Sequence, residues 1–178
     1  MNQLRDLPIG IQDFEKLRKQ NLLYIDKTQY VADLLRGSVY FLSRPRRFGK
    51  SLFLSTLQAY FDGRKDLFEG LALERAEVEL AAREKREAWV KYPILYLDLN
   101  NESYKNEEEL AKLLYRHLRF WEELYGTGDE DDTISGRFEG VIKRAYEKTG
   151  QQVVFLVDEY DKPLLLTLED PELNEANR

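Results

Sequence analysis

Cysteine is absent from the 178 residues and histidine occurs once, at His117. These two absences exclude a disulfide framework, a thiolate metal site and a histidine metal cluster, so zinc chemistry is not expected. No run of about 18 apolar residues exists that could span a bilayer, and Met1 to Gly10 lacks the basic start and apolar stretch of a secretory signal. A cytoplasmic protein without a membrane partner is the expectation. Excess positive charge is missing as well: the net charge is −6, which argues against a surface that grips nucleic acid as a whole. What is present, 43% apolar and 34% charged residues, suffices for one ordinary domain or part of a larger one.

Along the chain, Asp13 is placed to cap a short helix carrying Phe14 and Leu17, and Leu22 to Ile25 reads as a short extended run. Asp26 or Thr28 can cap a second helix with Tyr30, Val31, Leu34 and Leu35 as its stripe and Gly37 as its close. Val39 to Leu42 reads as a buried strand. Leu52, Phe53, Leu57, Tyr60 and Phe61 then recur at helical spacing up to Asp62-Gly63.

Residues Leu73 to Trp89 are rich in Glu, Arg and Ala and read as an exposed helix. Pro93 to Leu99 is a further strand candidate. Two helical stripes follow, from Leu110 to Tyr125, with His117 as a packing residue, and from Ile134 to Tyr146, stopped by Gly150; the acidic loop Gly126 to Asp132 separates them. Val153 to Val157 is the most apolar run and has the continuous character of a strand covered on both faces. Strands alternating with helices imply parallel pairing and a three-layer α/β sandwich.

Between the expected strand and helix lies Arg44-Pro45-Arg46-Arg47-Phe48-Gly49-Lys50-Ser51. A loop ending Gly-Lys-Ser at a helix start is suited to surround phosphate charge. Backbone amides and the helix dipole favour the anion, Lys50 adds a full charge, Ser51 offers a hydroxyl to magnesium, and Gly49 permits close approach. The general P-loop, or Walker A, pattern has glycine where Arg44 stands, and a side chain there requires ordinary backbone torsions. A basic surface turn is the competing explanation. The Val153 to Val157 run is followed by Asp158-Glu159, the strand-end acidic pair of P-loop hydrolases (Walker B), in which Asp holds magnesium and Glu activates water; an acidic turn after a core strand is the plainer alternative. Arg44, Arg46 and Arg47 are too few in an acidic chain to argue direct nucleic-acid binding.

The chain resembles the AAA-ATPase-like family of P-loop ATPases, whose members often carry a PD-(D/E)XK nuclease-like domain after the ATPase domain. The resemblance rests on Leu7 to Phe14, Tyr24 to Thr28, Leu42 to Ser51 and Val157 to Asp161. It implies a P-loop NTPase three-layer sandwich with a mainly parallel sheet, binding of ATP and Mg2+, Lys50 as the phosphate lysine, Ser51 and Asp158 as magnesium residues, and Glu159 as general base. The glycine missing at Arg44 is usual in this family. Asp26-Lys27-Thr28 resembles a segment that lies near the adenine in related ATPases.

Enzymes with such an acidic pair place a later strand between the P-loop strand and the acidic strand, and only Pro163 to Arg178 follows here. Leu164 to Leu168 could start a helix. The expectation is therefore that residues 1–178 are the amino-terminal part of one P-loop ATPase domain, with an incomplete sheet, needing its own carboxy-terminal region and hydrolysing little without it. An ATPase that drives or regulates an attached domain leads. A P-loop small-molecule kinase and a non-catalytic nucleotide-binding scaffold are the alternatives, and an oligomer is compatible with each.

Overall fold

The computed structural model describes residues 5–45, 47–100, 107–128 and 132–162. The chain forms two compact units, 1–92 and 93–178, and is α/β: among the described residues there are six α-helices, a short 3-10 helix and one sheet of two parallel strands.

The first unit is helical. Helix α1 (Phe14–Lys19) starts as its sequence dictates, with the Asp13 carboxylate accepting from Lys16 N at 2.7 Å. Its short apolar face, Phe14 and Leu17, is buried, and Phe14 N donates to Ser55 Oγ of α3 (Lys50–Phe61) at 2.6 Å. Helix α2 (Gln29–Leu34) buries Val31 but leaves Tyr30 exposed.

Asp26 and Thr28 do not cap α2 with their side chains as expected. Asp26 instead accepts from Ala72 N at 2.7 Å, and Thr28 Oγ1 accepts from Leu73 N at 3.1 Å. These are the first amides of α4 (Ala72–Glu84), whose own preceding residue, Leu71, supplies no side-chain cap. The cap thus comes from 46 residues earlier and ties α2 to α4. Burial works to raise the Asp26 carboxyl, but the bonds from Ala72, Thr28 N and Thr28 Oγ1 outweigh it and hold the group below its usual range. Replacing Asp26 by alanine orphans these donors and is expected to cost about 1–2 kcal/mol in urea unfolding; a loss below about 0.3 kcal/mol would contradict the assigned role.

Helix α4 corrects the expectation of an exposed helix. Leu73, Glu77, Leu80 and Ala81 are buried. The carboxylate of Glu77 accepts from Tyr60 Oη at 2.7 Å, from Arg86 Nη1 at 2.6 Å and Nη2 at 3.0 Å, and from Trp89 N at 3.0 Å. Burial of a charge becomes tolerable when every acceptor position is used.

A second correction concerns Val39 to Leu42. These residues lie outside the sheet, with Val39 89% and Phe41 70% exposed. A continuous apolar run states what a segment could bury, whereas a strand exists only beside a ladder partner.

In the second unit, β1 (Ile94–Asp98) pairs in parallel with β2 (Val154–Asp158), Leu95 opposite Phe155 and Asp98 opposite Asp158. Helices α5 (Glu107–Tyr125) and α6 (Ile134–Thr149) make the crossover between the strands, as parallel pairing requires. Leu95, Leu97 and Leu99 pack with Leu113, Leu118, Trp121 and Val141. The α5 and α6 faces are joined by Glu122, which accepts from Arg137 Nε at 2.7 Å and Nη2 at 2.6 Å. Gly150 closes α6 in the left-handed region at φ 67°. His117 is half-buried, its ring centroid 5.6 Å from that of Trp121, and burial pushes its pKa down. Cover on both faces of β2 is partial, since Phe155 remains 43% exposed. The expected helix at Leu164 to Leu168 and the centre of the acidic loop, 129–131, lie outside the described residues.

Candidate functional site

The phosphate-loop residues belong to the first unit. The reason the loop turns where it does is backbone conformation. Arg44 keeps negative φ, the condition its side chain requires, and the left-handed steps fall instead on Arg47 (φ 65°) and Gly49 (φ 74°). Phe48, between them, donates its N–H to Pro45 O at 3.3 Å. Arg46 lies outside the described residues. A methyl group on Gly49 would meet nothing within 4 Å, so glycine answers the torsion there and not a lack of space.

Gly49 is also the residue preceding α3, and no side chain caps that helix. Its carbonyl accepts from Phe53 N at 3.0 Å, while the amides of Lys50, Ser51 and Leu52 occupy the first turn, which has no intrahelical acceptors. Lys50 and Ser51, both half-buried, sit where the positive end of the helix dipole favours an anion. The Arg44 guanidinium carbon lies 6.0 Å from the ring centroid of Phe53, a residue of the same helix.

Beside the loop opens a cavity of about 310 Å³. Gly49, Arg44 and Phe48 form its loop side, Leu52, Phe53 and Thr56 its α3 side, and Leu7, Tyr24, Ile25 and Lys27 contribute from the preceding segments. Sequence periodicity carried no sign of it, because its walls come from separate stretches of chain.

The acidic pair belongs to the second unit. Asp158 closes β2, and its Oδ1 accepts from Glu159 N at 3.0 Å while Oδ2 accepts from Tyr96 Oη at 3.4 Å. Burial first, then the negative charges of Asp158 and Asp98, raise the Tyr96 phenol well above its ordinary value. Glu159 has φ 52°, a left-handed conformation that a non-glycine residue adopts at a cost, and its carbonyl accepts from Lys162 N at 2.9 Å. Lys162 Nζ in turn donates to the backbone oxygen of Asn100, and to Asn100 Oδ1 at 2.8 Å. Asn100 N donates to Asp98 Oδ1 at 2.8 Å.

Asp98, Tyr96 and Asn100 were not singled out from sequence. A signal for Asp98 existed: each of the two apolar runs ends in an aspartate, and parallel pairing sets the two side by side. Serine hydroxyl and aspartate carboxylate are hard oxygen donors of the kind magnesium takes, so the chemistry of Ser51 and Asp158 fits that ion. Among the described residues no helix is long and apolar enough to cross a membrane.

No solved structure matches the chain. A protein of Azotobacter chroococcum mcd 1, described as an uncharacterized protein in the vnfD 5' region, is 38% identical over 172 residues, which cover 95% of this chain and 31% of the relative. The chain therefore spans about a third of the length of that relative. A family model described as "Predicted AAA-ATPase" matches residues 8–178 and implies ATP, usually with Mg2+, as the ligand; the chain belongs to this AAA-ATPase-like family.

Proposed function

We propose that the chain is the nucleotide-binding part of an ATPase with the P-loop sandwich fold, in which hydrolysis drives or regulates a further part of a longer polypeptide. The observation that carries this reading is the loop from Arg44 to Ser51, which turns through left-handed Arg47 and Gly49 into an uncapped helix whose first residues are Lys50 and Ser51. Family membership and the length of the Azotobacter relative support it.

In this reading the loop amides, with Arg44, Pro45, Arg46, Arg47, Phe48 and Gly49, enclose the phosphates, and Lys50 balances their charge. Ser51 on the loop and Asp158 at the end of β2 are each of the oxygen-donor kind that would help to hold Mg2+, an ion that would supply neutralisation of the phosphate charge. Glu159 accepts the proton of the attacking water, and Tyr96 and Glu159 N fix the Asp158 carboxylate through the hydrogen bonds described above.

Replacing Lys50 by alanine is expected to weaken Mg-ATP binding about 10–100-fold, the size of one charge-assisted contact, with the helical circular dichroism unchanged. Equal affinity in titration calorimetry for wild type and Lys50→Ala would overturn the proposal.

A further inference from the structure

We propose that Lys162 is a positioning residue for hydrolysis: its ammonium, held by Asn100 just beyond β1, fixes the turn that aims Glu159. This inference rests on the reading of Glu159 as the base given above, and it adds a residue that acts through Glu159 alone.

Three observations carry it. First, Glu159 needs an outside hold. Its φ of 52° is a conformation that a residue with a side chain keeps only where the surroundings over-determine it. A base must also stay within hydrogen-bond reach of the proton it takes, so a turn that relaxed toward ordinary torsions would carry the carboxylate away.

Second, the turn is pinned to the end of β1 on both sides of Glu159. Before it, Asp158 O accepts from Leu99 N at 3.2 Å. After it, Lys162 Nζ donates to the backbone oxygen of Asn100, and to Asn100 Oδ1 at 2.8 Å. The bonds inside the turn, from Glu159 N to Asp158 Oδ1 and from Lys162 N to Glu159 O, join residues at most three apart. They shape the turn, whereas the Lys162 ammonium reaches 62 residues back and fixes it against the neighbouring strand.

Third, the anchor is itself held. Asn100 N donates to Asp98 Oδ1 at 2.8 Å, and Asp98 lies opposite Asp158 in the parallel register. Asp98, Asn100, Lys162, Glu159 and Asp158 therefore close a ring across the two strand ends. A charged donor suits that ring, because hydrogen bonds from an ionised group are about twice as strong as neutral ones.

The test measures ATP turnover and KM on the full-length polypeptide, as wild type, Lys162→Met, Lys162→Arg, Glu159→Gln and the double variant Lys162→Met with Glu159→Gln. Neither Lys162 nor Asn100 is buried, so the fold should persist, which circular dichroism checks. Lys162→Met is expected to lower kcat about 10–100-fold, the effect of a small misplacement of a reacting group, with KM for Mg-ATP within about threefold of wild type. Lys162→Arg, which restores a charged donor, is expected to return kcat to within about fivefold of wild type. In the Glu159→Gln background Lys162→Met is expected to add less than about twofold, because residues that act as a unit are not additive. Wild-type kcat in Lys162→Met, a raised KM with kcat unchanged, or an undiminished loss in the Glu159→Gln background would each overturn the positioning role while a slow Glu159→Gln keeps the base. Wild-type turnover in Glu159→Gln overturns the base itself, and the positioning role with it.

Discussion

In the full-length polypeptide, replacement of Glu159 by glutamine is expected to lower ATP turnover about 10²–10⁴-fold while Mg-ATP binding stays within about twofold of wild type, because the amide keeps the shape of the side chain and loses only its basicity. Geometry makes the substitution a clean one. The left-handed backbone at Glu159 is held by Asp158 Oδ1 and by Lys162 N, contacts that involve Glu159 only through its main chain. Phosphate release and nucleotide titration on the same preparation separate the possibilities. Unchanged turnover would remove Glu159 from the chemistry, and loss of binding would make it a structural residue of the turn.

The second large effect concerns stability and lies in the first unit. Glu77→Ala removes the common acceptor of Tyr60, Arg86 and Trp89 N. Breaking such a pair from one side is costly because the partner charge stays behind without compensation, about 3–5 kcal/mol when both are buried. Arg86 keeps 23% of its side-chain surface, so the lower end, about 3 kcal/mol, is expected in urea unfolding.

The same site sets a pH dependence. Burial works to raise the Glu77 carboxyl, and the bonds from Arg86, Tyr60 and Trp89 N overcome it, so the folded pKa lies below the ordinary one. A group depressed on folding contributes stability that is complete above its unfolded pKa, about 4.3, and is lost as pH falls through the folded value. Wild type should therefore lose stability on acidification below about pH 4.3 more steeply than Glu77→Ala does. Parallel acid limbs for the two proteins would contradict the assignment.

Sequence reached the second unit more fully than the first for a physical reason. Helices α5 and α6 carry long apolar stripes and β1 and β2 are compact apolar runs, so each element announces both its type and its buried face. In the first unit the decisive contacts are polar and distant in sequence. Glu77 sits on a helix rich in charge, and nothing in the local pattern distinguishes it from the half-buried Glu74 or the exposed Glu79; its partners arrive from α3 and from the turn after α4. Asp26 satisfies the rule for a nearby cap, yet it serves the later helix, because local rules describe which donors a carboxylate can satisfy and not which ones the fold brings to it.

The candidate site divides in the same way. Lys50 and Ser51 fall on the first turn of α3 because Gly49 starts it, and Asp158 closes its strand, all of which follow from short-range pattern. The cavity walls, the Tyr96 contact to Asp158 and the link from Lys162 to Asn100 come from residues brought together only by folding.

The exposed stretch from Val39 to Leu42 bears on how these residues behave in solution. It is four apolar residues without a charge, rich in β-branched and aromatic groups and outside the sheet. That composition favours self-association between copies through cross-β contact. The opposing influence is long-range: a net charge of −6 makes copies repel, and salt shortens the reach of that repulsion. Higher ionic strength and higher protein concentration therefore both favour such association.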